Sequence, residues 1–228
     1  MVRGAFSLLE LIIAIIVIGI SLLSIPLILT SNTKSLETSL QQEAVMGALT
    51  QIANIMSYKW DEGETNASIN GGYAKILDTQ SNASALDCVE QSFGRVRKGN
   101  FLGDDRRKCY NTQRLATAPD ALGSDDNDLD DIDDFITYDS ELISGDRNSE
   151  DDYKRDYAYD IGVVYINDEF DFDSAGVNWS LDASPVNDRS TNIKMVEVRV
   201  SSDNGGDIVL KAFSANIGEI SYYGRVVQ

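Results

Sequence analysis

The chain has 228 residues, 43% of them apolar, which suits one folded domain better than two. Its formal net charge of −18 sets it against nucleic acid, whose phosphates it would repel. It has no histidine, which removes Ser-His-Asp and Cys-His catalysis and most zinc sites, and it carries neither a Walker loop nor a Gly-x-Gly-x-x-Gly turn, so a non-enzymatic role is expected.

The first element is apolar. Between Phe6 and Leu29 the only charged residue is Glu10. A helix of that length, at about 1.5 Å per residue, spans the ~30 Å hydrocarbon core of a bilayer. Arg3 precedes it, so the positive-inside rule keeps the start cytoplasmic and exports the rest. A secretory signal would have a shorter apolar region, roughly 7–15 residues, followed by a small-x-small site. A plain anchor leaves Glu10 unexplained, because a carboxylate within a span costs about 2.5–3.5 kcal/mol on insertion scales and usually has a partner.

The stretch GAFSLLELIIAIIVIGI, residues 4–20, resembles the N-terminal signal of type IV pilins and type II secretion pseudopilins. That resemblance implies a basic leader, residues 1–5, removed by a prepilin peptidase between Ala5 and Phe6. It further implies N-methylation of the Phe6 amine and a glutamate, Glu10, standing fifth in the mature chain. Ala5 departs from the glycine more usual before the cut; cutting after Gly4 would place Glu10 sixth. The Phe6 amine is then a cation at the membrane face, able to pair with Glu10 of a neighbouring subunit and fix its axial position. The match covers the N-terminal segment alone.

Residues 6–29 are thus the membrane and assembly helix, with Pro26 expected to bend it. Residues 30–58 read as its amphipathic continuation. Leu36, Leu40, Ala44, Leu49, Ile52 and Met56 recur at steps of three to five, with Ala53 beside Ile52, and Glu37, Gln41, Gln42 and Gln51 fill the other side. Gly63 breaks the pattern near the start of an exported domain, residues 59–228.

Within that domain Glu64 and Asn66 stand in an acidic N-glycosylation pattern, a short sequon that also arises by chance. Cys88 and Cys109 are the only cysteines, and outside the cytoplasm an even count reads as one disulfide, the alternative being two buried thiols. Arg95, Arg97, Lys98, Arg106, Arg107 and Lys108 lie between them, a basic run suited to a solvated loop or an acidic neighbour. Residues 120–173 hold 17 Asp and three Glu against Arg147, Lys154 and Arg155, nearly the whole net charge. Such density is either solvated or bound to cations. Asp126, Asp128 and Asp130 alternate as calcium ligands could. They do not form an EF-hand, because Asp131 stands at its glycine position and Thr137 at its glutamate position.

Three strands follow. Residues 157–166 form one candidate; 194–200, where Val196, Val198 and Val200 alternate with Glu197 and Arg199, and 208–213 form a hairpin across a Gly-rich turn. The expected class is α+β, a long N-terminal helix packed on a C-terminal antiparallel sheet, with residues 214–224 adding an edge segment.

The resemblance implies a structural subunit of a type IV pilus or type II secretion filament. It would start as a single-pass protein of the bacterial inner membrane, in contact with lipid and then with other pilin or pseudopilin subunits. A minor subunit is expected, since hundreds of copies of so acidic a tract would repel one another. The rival readings are a calcium-dependent tip adhesin or secretion-substrate receptor, and a membrane-anchored enzyme working through paired carboxylates.

Overall fold

The computed structural model describes residues 7–64, 73–92, 94–98, 107–123, 129–137, 140–142, 157–169, 182–202 and 206–219. Ala5, Phe6, Asn66, Arg106, Asp126 and Asp128 lie outside the described residues. The chain divides into two compact units, Met1–Val45 and Met46–Gln228.

The first unit is helix. Helix α1 covers Leu8–Ile55, so its later turns belong to the second unit. Residues 7–39 are all exposed, including the isoleucines, leucines and valines of the apolar run. This helix is long and apolar enough to cross a membrane, and none of its most apolar window is covered. Such a surface needs lipid or other helices around it. The helix passes through Pro26 without a break in assignment. Near it, the Ser24 hydroxyl donates to the Ser21 carbonyl and the Thr30 hydroxyl to the Leu27 carbonyl. Such back-bonding gives a small polar side chain a partner inside an apolar helix.

The second unit holds the antiparallel sheet. Strand β1 is Cys88–Gln91, β2 Gly94–Arg97, β3 Ser140–Leu142, β4 Tyr157–Tyr165, β5 Ile193–Ser201 and β6 Ile208–Ala215. The four later strands form one sheet in the order β3-β4-β5-β6, every neighbour antiparallel. The expected strands are therefore present, and the layout is α+β. Among the described residues, 216–219 add no further strand.

Alternation explains the sheet's buried face. On β4, Tyr157, Tyr159, Ile161, Val163 and Tyr165 are buried, and on β5 so are Lys194, Val196, Val198 and Val200. Register pairs Val163 with Val196 and Val196 with Ala212. On α1 within this unit, Ala48 and Ile55 are fully buried whereas Leu49 and Ala53 are exposed. Of the expected stripe, Leu40 and Ala44 are buried and Ile52 and Met56 half-buried; Ala48 and Ile55, not counted in it, are buried as well. Gly47 fits the same geometry, because a methyl group there would overlap the Tyr159 hydroxyl.

Arg95 and Arg97, the first members of the basic run, lie on a β-hairpin where a solvated loop was expected. Strands β1 and β2 pair Cys88 with Arg97 and Gln91 with Gly94, whose φ of 111° suits glycine. Cys88 and Cys109 form the disulfide, with Cα atoms 6.2 Å apart. Cys109 is completely buried; its N–H donates to the Arg95 carbonyl, and it bridges to Ile76. The bond ties the hairpin to the strand-like segment that carries Ile76, Leu77 and Asp78.

Candidate functional site

Two places bear on function, and each belongs to one unit. In the first unit, the helix starts at a capping residue. The Glu10 N–H reaches the Ser7 hydroxyl at 3.3 Å and the Ser7 carbonyl at 3.0 Å, and the Leu11 N–H donates to that carbonyl at 3.2 Å. Ser-x-x-Glu is the capping-box spacing, and an acid in the first turn faces the positive end of the helix dipole. Glu10 thus has a local reason to stand where it does, alongside any intermolecular one. The sequence signal for this cap is Ser7 itself, three residues before Glu10.

In the second unit lies a buried charge cage. Its centre is Lys194, in phase with Val196, Val198 and Val200 on the covered face of β5 and itself 0% exposed. An ammonium there requires three acceptors. It has them: Asp133 Oδ1 at 2.5 Å, the Trp60 carbonyl at 2.8 Å and Asp61 Oδ2 at 3.2 Å. The Trp60 and Tyr165 rings cover it, their centroids 4.5 and 5.5 Å away. Burial alone would lower this lysine's pKa; the carboxylates of Asp61, Asp133 and Asp131 more than reverse that and hold it above its ordinary value.

The acids of the cage are fixed by backbone amides. Asp61 accepts from Gly63 N at 3.0 Å and from Thr117 N at 2.9 Å. Asp131 accepts from Glu62 N at 2.7 Å, Asp133 N at 2.8 Å and Asp134 N at 3.3 Å. Asp134 accepts from Asp130 N at 2.9 Å and Asp131 N at 3.0 Å. These bonds fold the backbone of 130–134 tightly round its own carboxylates. Asp61, Glu64, Asp131, Asp133 and Asp134 are all buried. Burial, together with neighbouring Asp133, pushes Asp131 above the usual carboxylate range. Glu64 is pushed up to about 7, chiefly by desolvation, although its carboxylate accepts from Trp60 N at 3.1 Å.

The acidic stretch is not solvated throughout. In its described part, Asp131, Asp133, Asp134 and Asp168 are core residues. The one described member of the proposed calcium set, Asp130, pairs with Lys59 at 3.2 Å. Arg95 and Arg97 of the basic run are likewise turned inward, whereas Lys98 and Arg107 are exposed. Arg95 grips Asp78 with two nitrogens, at 2.7 and 3.0 Å, and donates to the Tyr110 carbonyl. Arg97 donates to Asn192 Oδ1 at 2.5 Å and to the Asn216 carbonyl at 2.7 Å, its pKa lowered to about 10 by burial. Lys98 pairs with Asp87 at 3.1 Å.

An open cleft of about 200 Å³ adjoins the cage, lined in part by Lys59, Trp60, Glu64, Ile217 and Glu219. The described residues singled out from the sequence do not converge. Glu10 stands in the first unit; Cys88 and Cys109 are joined in the second; Asp130 lies at the rim of the cage. Lys194, Asp61 and Asp133 were not anticipated. The signal for Lys194 was a cation in step with three inward valines. No family model matches the chain, and neither a curated protein nor a solved structure shows detectable similarity to it.

Proposed function

We propose that the chain is a non-enzymatic filament subunit, a minor pilin or pseudopilin of a type IV pilus or type II secretion system. The observation that carries this reading is the bare apolar run of α1, residues 8–29, with one charge, Glu10, in its first turn. Lipid covers such a helix before assembly, and the helices of other subunits cover it afterwards. Cleavage between Ala5 and Phe6 by a prepilin peptidase creates a cation one residue before the Ser7 cap. A positive charge at a helix N-terminus opposes the dipole, so it seeks an anion. Glu10 of an assembled neighbour supplies one in a medium of low dielectric, and the match sets the axial offset. The sheet unit is the part displayed outside the cytoplasm, where its disulfide is chemically at home.

The test is the mass of the mature N-terminus, recovered from bacterial membranes. The expected product begins at Phe6 with a methylated amine. A chain that retains residues 1–5 in a strain with active prepilin peptidase refutes the reading.

A further inference from the structure

Lys194 and Asp133 are held in direct contact, amine nitrogen to carboxylate oxygen. Both side chains are shut away from solvent, at 0% and 5% exposed, and two aromatic rings flank the amine. The two carboxylates touching the amine are held differently. Asp61 is pinned through both oxygens by the Gly63 and Thr117 amides. Asp133 has its second oxygen near the Gly123 N–H, at 3.3 Å.

We propose that Lys194 and Asp133 join in an intramolecular amide bond, with Asp61 relaying the proton. The ammonium first passes a proton to Asp133 Oδ1 along the existing hydrogen bond, leaving an amine and a carboxylic acid. The nitrogen lone pair adds to Cγ, and the carbonyl π pair moves onto Oδ2, facing the Gly123 N–H. Asp61 Oδ2 takes a proton from the nitrogen and hands it to the Oδ1 hydroxyl. The carbonyl re-forms, the Cγ–Oδ1 bond breaks, and Oδ1 departs as water. One ammonium and one carboxylate give one amide and one water, with nothing oxidised or reduced and Asp61 restored.

One physical term favours the step: amine and acid are already held in contact in a dry site, which replaces the entropy cost of a bimolecular encounter. Against it, the amide removes the cation that Asp61 now pairs with. The bond would span 61 residues of sequence and tie β5 to the acidic segment. It would act alongside the disulfide and owes nothing to the filament reading.

The experiment is intact-mass and peptide mass spectrometry of the full chain, purified in detergent with its disulfide formed as the mark of folding. The wild type is expected to weigh one water less than its sequence with the disulfide formed. Its digest should yield a branched peptide joining Lys194 to Asp133. Asp133→Ala and Asp61→Asn are each expected to keep the full, undehydrated mass. A folded wild-type chain that stays at full mass after prolonged incubation overturns the proposal, and needs no variant to do so. So does a branch at Asp61, or dehydration that persists in Asp133→Ala. Dehydration that persists in Asp61→Asn overturns the proton relay.

Discussion

Replacing Glu64 by glutamine should stabilise the second unit at alkaline pH and flatten its pH dependence. Glu64 is buried, and desolvation moves its pKa from 4.5 to about 7, with Asp61 and Glu219 adding to the rise and the Trp60 amide and Lys194 opposing it. Below pH 4.5 the folded and unfolded chains both hold the proton, so the residue contributes nothing. Between 4.5 and 7 only the folded chain holds it, and stability falls as pH rises. Above 7 the folded chain carries a buried carboxylate at full penalty, about 3 kcal/mol at 1.36 kcal/mol per pKa unit. Glutamine does not titrate and keeps an oxygen for the Trp60 N–H, which Glu64 now accepts at 3.1 Å. Urea titrations of the full chain in detergent, followed by tryptophan fluorescence, should show Glu64→Gln more stable by about 2–3 kcal/mol at pH 8.5. That advantage should shrink towards nothing near pH 4.5. Asp131, also raised, leaves a residual slope of the same sign in the variant. A variant no more stable than wild type at pH 8.5, with an unchanged m-value, would refute the desolvation argument.

Other outcomes follow from the same geometry. Glu10→Gln keeps the Ser7 hydrogen bond but removes the charge, so it should cut filament incorporation severely in a pull-down of sheared filaments, whereas Ser7→Ala should cost about 1 kcal/mol of helix stability and spare incorporation. If Ser7→Ala proves as damaging as Glu10→Gln, the carboxylate acts as a cap and not as a docking charge. Arg95→Lys loses the two-pronged grip on Asp78 and should lower unfolding free energy by about 2 kcal/mol in urea titrations. Cys88→Ser frees a 21-residue separation and should cost about 3 kcal/mol, with the wild type falling to the same stability after reduction.

The fold was legible where one period dominates. Val196, Val198 and Val200 betray a half-buried strand, and residues 157–166 and 208–213 take their places beside it. The apolar run declares its helix through composition alone. The hairpin of β1 and β2 was hidden because Arg95 and Arg97 look like solvent-facing residues. Only the fold brings Asp78 to the first, and Asn192 and Asn216 to the second. A charge in a sequence advertises its cost of burial, but not the distant group that offsets it.

The same blindness governs the acidic tract, and it changes what its charge can do. Counted along the sequence, residues 120–173 look like a surface field strong enough to drive copies apart. In the fold, Asp131 and Asp134 are wrapped in backbone amides, Asp133 meets Lys194, and Asp168 accepts from Ser81 and from the Asn192 amides. Asp131, whose pKa burial raises, carries less than its formal charge near neutral pH. Asp133 is offset by the ammonium it meets, so the formal count of −18 overstates the field these two residues project. Charge density alone is then a weak reason to assign the chain a rare place in a filament. The stronger discriminator is stoichiometry: quantitative mass spectrometry of isolated filaments should find this chain at a small fraction of the main subunit if it is a minor one. Equal abundance would mean that internal pairing has removed the barrier inferred from its sequence.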